Sequence, residues 1–309
     1  MKVIFMGTPE FAVPTLQKLI EHYEVVAVFT QPDKPKGRGQ KMQYTPVKEK
    51  ALNYQIPVFQ PEGLKNNKDV ENLIKGINPD AIVVVAFGQI LPKSILELPK
   101  YGCINVHASL LPKLRGAAPI NWAIINGEKI TGVTTMLMDV GLDTGDILLK
   151  KEIEILEDET AGELHDKLMQ LGADLLIETL KGLENGEIVP VKQDDNLSSY
   201  APMLNKEMGH INWNRDFKSI HNLIRGLIPW PGAFTFYDEQ MIKIWKSKKK
   251  RNNICGQPGE IIDVTKEGIE VACNVGSIEI IELQEVGGKR MDVASYLNGH
   301  RLEIGKILK

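Results

Sequence analysis

Asp80-Ala81-Ile82-Val83-Val84-Val85-Ala86-Phe87 is the stretch whose reading decides the fold. It is apolar from its second residue on and rich in β-branched side chains, without the alternation of a half-exposed strand. Such a run fits a strand covered on both faces, as in the middle of a parallel sheet. Two earlier runs have the same character, Lys2 to Met6 (KVIFM) and Glu24 to Phe29 (EVVAVF). Helical patterns separate them: from Gly7-Thr8-Pro9 to about Glu21, Pro46 to Tyr54, Asn67 to Gly76, and later Ala117 to Asn126. Alternating strands and helices predict a doubly wound α/β domain with a mostly parallel, Rossmann-like sheet. A long helical stretch from Asp158 to Glu184, apolar at Leu164, Leu168, Leu171, Leu175 and Leu180, closes it.

From Ile188 to Asn205 the periodicity fails, and VPVKQDDNLSSYAPMLN reads as a polar, Pro-punctuated linker. Beyond it come one helix, Phe217 to Gly226, and then Pro229-Trp230-Pro231-Gly232. Short strand patterns follow at Ala233–Tyr237, Gln240–Trp245, Gly259–Val264, Gly268–Ala272 and Ser277–Leu283, the arrangement of a small β-barrel. The expected organisation is a catalytic domain over 1–189, a linker over 190–207 and a barrel domain over 208–309.

The 309 residues are 43% hydrophobic and 25% charged, an ordinary globular balance. A net charge of −3 rules out a uniformly basic nucleic-acid binder but leaves room for local basic patches. Cys103, Cys255 and Cys273 are odd in number and far apart, so a disulfide framework is not expected and a reducing cytoplasm is. The opening MKVIFMGTPEF is too briefly apolar for a signal sequence, and no stretch nears the roughly 20 residues of a membrane span.

Function concentrates between residues 102 and 146. A short strand pattern ends in Asn105-Val106-His107, placing an amide and an imidazole two residues apart and therefore on one side. Gly141-Leu142-Asp143-Thr144-Gly145 later sets a carboxylate on a Gly-flanked loop, with Asp139 and Asp146 as competing carboxylates. An amide, an imidazole and a carboxylate suit proton transfer around a carbonyl. Nothing has the spacing of a metal site, and Ser109 lacks a nucleophile elbow. Gly7 has no second and third glycine after it, so no nicotinamide dinucleotide site is expected. Cys103 reads as a buried thiol. Two basic runs remain, Asp33 to Lys41 (DKPKGRGQK) and Lys246 to Arg251 (KSKKKR), each a solvated loop or a contact to a phosphate backbone.

Taken together, Asn105-x-His107-x-Ser109-Leu110-Leu111-Pro112-x-x-Arg115-Gly116, Thr131-Gly132-Val133-Thr134 and Gly141-Leu142-Asp143-Thr144-Gly145 resemble the formyltransferase family that uses 10-formyltetrahydrofolate. Met6-Gly7-Thr8-Pro9-Glu10-Phe11-Ala12, Gln31-Pro32-Asp33-Lys34-Pro35-x-Gly37-Arg38-Gly39, Tyr200-Ala201-Pro202 and Pro229-Trp230-Pro231-Gly232-Ala233 extend the likeness over nearly the whole chain. They resemble the members that formylate methionine carried on initiator tRNA. Ile211-Asn212-Trp213 departs from the usual Ile-Asp-Trp. The resemblance implies catalytic roles for Asn105, His107 and Asp143, and folate contacts from Ser109, Leu110, Leu111 and Pro112. It implies tRNA contacts from Lys34, Lys36, Arg38 and Lys41 against the acceptor arm. An OB-like second domain with Lys248, Lys249, Lys250 and Arg251 would support the same tRNA. The expected co-substrate is 10-formyltetrahydrofolate, with no metal, and the enzyme is expected to act as a cytoplasmic monomer. The competing readings are a formyltransferase for a small amine, such as glycinamide ribonucleotide or an amino sugar, and an RNA-binding protein with an inactive core.

Overall fold

The computed structural model describes residues 1–36, 41–250 and 256–309. They form two compact units, one of residues 1–116, 131–153 and 165–200, the other of 117–130, 154–164 and 201–309.

In chain order the strands of the first unit are β1 (Lys2–Gly7), β2 (Glu24–Phe29), β3 (Lys34–Lys36), β4 (Lys41–Gln43), β5 (Val58–Phe59), β6 (Ala81–Val85), β7 (Cys103–His107), β8 (Arg115–Gly116), β9 (Ile130–Leu137) and β10 (Ile147–Glu154). The main sheet runs in the order β10-β9-β7-β6-β1-β2-β5. β5, β2, β1, β6 and β7 are mutually parallel, and β9 runs antiparallel to β7. The mostly parallel doubly wound sheet is therefore present, with β6 at its centre as the apolar run implied.

Strand residues alternate between two buried layers. Ile4, Met6, Phe29, Ile82 and Val84 pack in one cluster with Leu91, Ile95 and Cys103. Their neighbours Val3, Phe5, Val28, Val83 and Val85 are fully buried on the other side. Each such side chain contributes about 1.5–3 kcal/mol by leaving water. Helices α1 (Val13–His22), α2 (Pro46–Asn53), α3 (Lys68–Ile77) and α4 (Lys93–Leu96) connect the strands. Local chemistry sets their ends. Thr45 caps α2 by accepting from Lys48 N–H ahead of Pro46, and Asn67 caps α3, which ends at left-handed Asn78.

Several strands carried no clear sequence pattern, β9 and β10 the longest of them. β9 is rich in threonine, and Thr131, Thr134 and Thr135 are nonetheless buried. For two of them the hydroxyl has a partner: Thr134 Oγ1 donates to Ser109 O at 2.7 Å, and Thr135 Oγ1 meets Thr179 Oγ1 at 2.8 Å.

Helix α5 (Pro119–Ile125) lies in the second unit, and α6 (Ala161–Glu184) begins three residues later than its apolar pattern suggested. A capping box explains the start: Glu163 N–H donates to Thr160 Oγ1 and Thr160 N–H donates back to Glu163 Oε2.

β11 (Tyr200–Ala201) falls at the boundary between the units, and the second unit holds α7 (Phe217–Gly226), β12 (Ala233–Tyr237), β13 (Gln240–Lys249), β14 (Ile261–Val264), β15 (Ile269–Ala272), β16 (Ser277–Glu285), β17 (Met291–Asp292) and α8 (Val293–Leu297). Its antiparallel sheet has the order β12-β13-β16-β15-β14. Residues 305–309 bridge the two edges of that sheet. Ile261 N–H donates to Lys306 O and Leu308 N–H to Gly259 O, while Phe236 and Lys309 exchange N–H···O bonds of 2.8 and 3.0 Å. Closure removes both exposed edges and makes the sheet a barrel. Its interior holds Trp213, Ile220, Ile224, Ile244, Val271 and Ile280.

β13 runs four residues beyond the expected Trp245. Ser247 can face inward in this basic stretch because its hydroxyl lies 3.0 Å from Nδ1 of buried His221.

Candidate active site

β7 delivers its residues in strict alternation. Gly172 of α6 packs so closely on Val106 that a Cβ there would lie 2.8 Å from Val106 Cγ1. Asn105 and His107 therefore point to the opposite face, as a two-residue spacing requires. His107 is 6% exposed and ends the strand.

The His107 ring is held at one end. Nε2 lies 2.9 Å from Leu114 O, and since a carbonyl only accepts, Nε2 carries a hydrogen. Leu114 has φ 58°, a left-handed conformation costly for a branched residue, and its own N–H donates to Ser199 Oγ at 2.9 Å. Nδ1 is left facing Asp143, whose Oδ2 is 3.6 Å away.

Asp143 sits on the loop between β9 and β10 with φ 54°, a conformation that Asp tolerates better than most residues. One carboxylate oxygen accepts from Gly116 N–H at 2.8 Å, and the other lies 3.4 Å from Asn105 Nδ2. Amide, imidazole and carboxylate thus converge across 38 residues of sequence.

Asp139 is occupied otherwise. Its Oδ1 accepts from Gly141 N–H at 2.9 Å and Thr144 Oγ1 at 2.6 Å, the chemistry of a turn. Asp146 holds the end of β9 through its main chain, accepting Leu137 N–H at 2.8 Å. Of the three carboxylates, Asp143 is the one that meets Asn105 and His107.

One residue at this site carried no sequence signal. Gln193, in the stretch read as a linker, is 7% exposed and donates through Nε2 to Asp143 O and Gly145 O at 2.8 and 2.7 Å. Its Oε1 accepts from Arg115 Nε and Nη2 at 3.1 and 2.8 Å. Val191, two residues earlier, pairs with Ile147 through two main-chain hydrogen bonds. The segment is polar because it is built from hydrogen bonds, and periodicity cannot register that.

The formyl transferase model matches residues 1–180, and the model of the formyl transferase C-terminal domain matches 203–301. The chain belongs to the formyltransferase family. A methionyl-tRNA formyltransferase of Alkaliphilus oremlandii is 60% identical over all of this chain and 99% of its own length. That of Clostridium botulinum is 58% identical with the same coverage. Among solved structures, an N-formyltransferase of Helicobacter canadensis, in complex with folinic acid and dTDP-3-aminofucose, superimposes with a TM-score of 0.68. It is 23% identical, over 91% of this chain and 98% of its own, a likeness of fold.

Asn105 and His107 lie at the carboxyl end of parallel β7, the end at which open α/β folds bind ligands. The segment Ser109 to Pro112 follows β7 directly. Ser109 and Leu111 are fully buried and face the protein: Ser109 Oγ donates to Lys113 O at 2.7 Å, and Leu111 N–H donates to Thr134 Oγ1 at 3.1 Å. Leu110 and Pro112 are half-buried. Lys150 Nζ also donates to Leu111 O, and burial holds its ammonium below the ordinary lysine value. After β6, Ala86 with φ 46° and Gly88 with φ 83° make a sharp loop ending in exposed Ile90.

The two basic runs differ in setting. β3 and β4 form a hairpin carrying Lys34, Lys36 and Lys41, while Arg38 lies outside the described residues. The hairpin is anchored at its base, where Lys48 Nζ meets Asp33 Oδ2 at 2.5 Å and Gln60 Oε1 at 2.7 Å. Burial alone would raise the Asp33 carboxyl, but the hydrogen bonds from Lys48 and Gln60 outweigh it and hold it below the ordinary value. In the second run Lys248 is exposed, Lys249 pairs with Glu157, and Lys250 pairs with Glu279 at 2.6 Å. Arg251 lies outside the described residues. Among those residues no group of three His, Cys, Asp or Glu could hold a metal, and no helix is long and apolar enough to cross a membrane.

Proposed function

We propose that this enzyme transfers the formyl group of 10-formyltetrahydrofolate to the amino group of methionine on initiator methionyl-tRNA. The observation that carries the reaction is the convergence of Asn105, His107 and Asp143 on one face beyond β7. Full-length identity of 60% to a methionyl-tRNA formyltransferase supports the acceptor.

The methionine nitrogen attacks the formyl carbon, and the carbonyl oxygen becomes an oxyanion while the nitrogen gains positive charge. Asn105 Nδ2 donates to that oxygen. His107, with Nε2 committed to Leu114 O, presents Nδ1 beside that oxygen and 3.6 Å from Asp143 Oδ2. Asp143, directly or through water, takes the proton from the attacking nitrogen and returns it to N10 of the folate as the C–N bond breaks. The enzyme forms no covalent bond in this scheme.

The folate lies against Leu110 and Pro112, with Ser109 and Leu111 fixing that turn from within. The basic run with Lys34, Lys36, Arg38 and Lys41 meets the acceptor arm, and the barrel domain supports the tRNA with the run Lys248, Lys249, Lys250 and Arg251. The protein acts in the cytoplasm as a monomer.

The test is formyl transfer to charged initiator tRNA, set against free methionine and amino-sugar nucleotides. A large preference for the charged tRNA is expected, with Asn105→Ala, His107→Ala and Asp143→Ala each folded and each slower by at least about 10²-fold. Preference for a small amine would overturn the acceptor, and a full-rate Asp143→Ala would overturn the mechanism.

A further inference from the structure

We propose that Gln193 and Arg115 are positioning residues for the proton-transfer carboxylate, setting where the Asp143 side chain stands. This rests on the reading that Asp143 moves the proton.

The Gln193 amide has its hydrogen-bonding capacity spent at one place. Its two N–H groups grip the carbonyls of Asp143 and Gly145, which flank the loop turn, at 2.8 and 2.7 Å. Both lone pairs of Oε1 go to the Arg115 guanidinium, and Arg115 Nη2 also meets Asp195 Oδ1 at 2.8 Å. Gly116, next in the chain, donates its N–H to Asp143 Oδ2. Gln193 thus holds the loop backbone, and Arg115 links that grip to the strand that holds the carboxylate. The two together fix Asp143 by main chain and side chain at once.

The conformation needs such a clamp. Asp143 is at φ 54°, a state that persists in a non-glycine residue when its surroundings over-determine it. Gln193 is 7% exposed, so its bonds are made away from competing water and losing them strands two loop carbonyls and a guanidinium. The rest of the segment is anchored independently by the Val191–Ile147 pair, so replacing the Gln193 amide need not release the whole segment.

The test is a double-mutant cycle on single-turnover formyl transfer from 10-formyltetrahydrofolate to charged initiator tRNA. Its variants are Gln193→Met, Asp143→Ala and the pair. Methionine keeps the size and removes every hydrogen bond. Gln193→Met is expected to lower the saturated rate by about 10²-fold, as a misplacement of about 1 Å does, with KM for both substrates changed by no more than about twofold. In the Asp143→Ala background the same substitution should cost nothing further, because there is no carboxylate left to misplace. Gln193→Glu is the second variant, keeping the pairing to Arg115 but losing both donors, and it should be slowed in the same way. Losses that multiply in the double mutant overturn the proposal, as does a full rate for the Met or Glu variant. A fast Asp143→Ala enzyme would instead sink the proton-transfer role itself. In that case a slow Gln193→Met variant would show that Gln193 acts by another route, which also overturns the proposal.

Discussion

Gly145→Ala isolates the geometry on which the site depends. A Cβ at Gly145 would lie 1.7 Å from Leu137 O and 2.8 Å from Leu137 C. Comfortable separation for such a pair is about 3.5 Å, so the loop and the end of β9 must part by more than about 1 Å. Two hydrogen bonds straddle that contact, Leu137 N–H to Asp146 O at 2.8 Å and Gln193 Nε2 to Gly145 O at 2.7 Å. Losing both costs about 1–3 kcal/mol, and the residual overpacking costs a further 1–3 kcal/mol or so. Together these come to about 2–6 kcal/mol, so a melting midpoint lower by roughly 4–24 °C should follow at about 2–4 °C per kcal/mol. Asp143, two residues away, would move by a similar distance, and a misplacement of about 1 Å lowers the rate by about 10²-fold. The assay is single-turnover formyl transfer beside a thermal melt, with Gly63→Ala as control, since nothing lies within 4 Å of a Cβ there. A Gly145→Ala enzyme within about threefold of the unmodified rate, with an unchanged midpoint, would refute the reasoning.

Gly76, near the end of α3, is exposed with no atom within 4 Å of an added Cβ, so Gly76→Ala should stabilise by about 0.5–1 kcal/mol in urea denaturation. His221 is held below its ordinary value of 6.5 by burial first and by Lys249 and Arg225, against the opposing pull of Asp158 and the Glu157 main chain. Its stabilisation is therefore complete above pH 6.5 and declines as pH falls toward the folded value, because the unfolded chain takes up the proton first. Unfolding of the second unit should shift to lower urea between about pH 7.5 and 5.5, and His221→Gln should flatten that shift. Burial pushes the Cys103 and Cys273 thiols up to about 12, so in a Cys255→Ser background neither should react with a thiol reagent before unfolding.

The strands most legible in the sequence are those whose packing demands apolar side chains on both faces, as in β1, β2 and β6. β9 was not, because buried threonines such as Thr134 and Thr135 look polar until their hydroxyls find partners. The start of α6 was displaced from its apolar pattern by the Thr160–Glu163 capping box, a signal present in the sequence but outranked by the leucine spacing. In β13 the basic run looked like a loop, yet Ser247 turns inward to His221, so local charge gave the wrong end for the strand.

By itself the sequence determined the α/β layering, the barrel that follows it, and the common face of Asn105 and His107. These depend on periodicities of two and about 3.6 residues, which are local properties of the chain. Residue pattern left Asp143 level with Asp139 and Asp146, and the resemblance alone picked it out; tertiary structure decided that it meets that face, that residues 305–309 close the barrel, and that Gln193 holds the Asp143 loop. Each of these rests on hydrogen bonds between segments distant in sequence, and such bonds leave no period for a sequence to display.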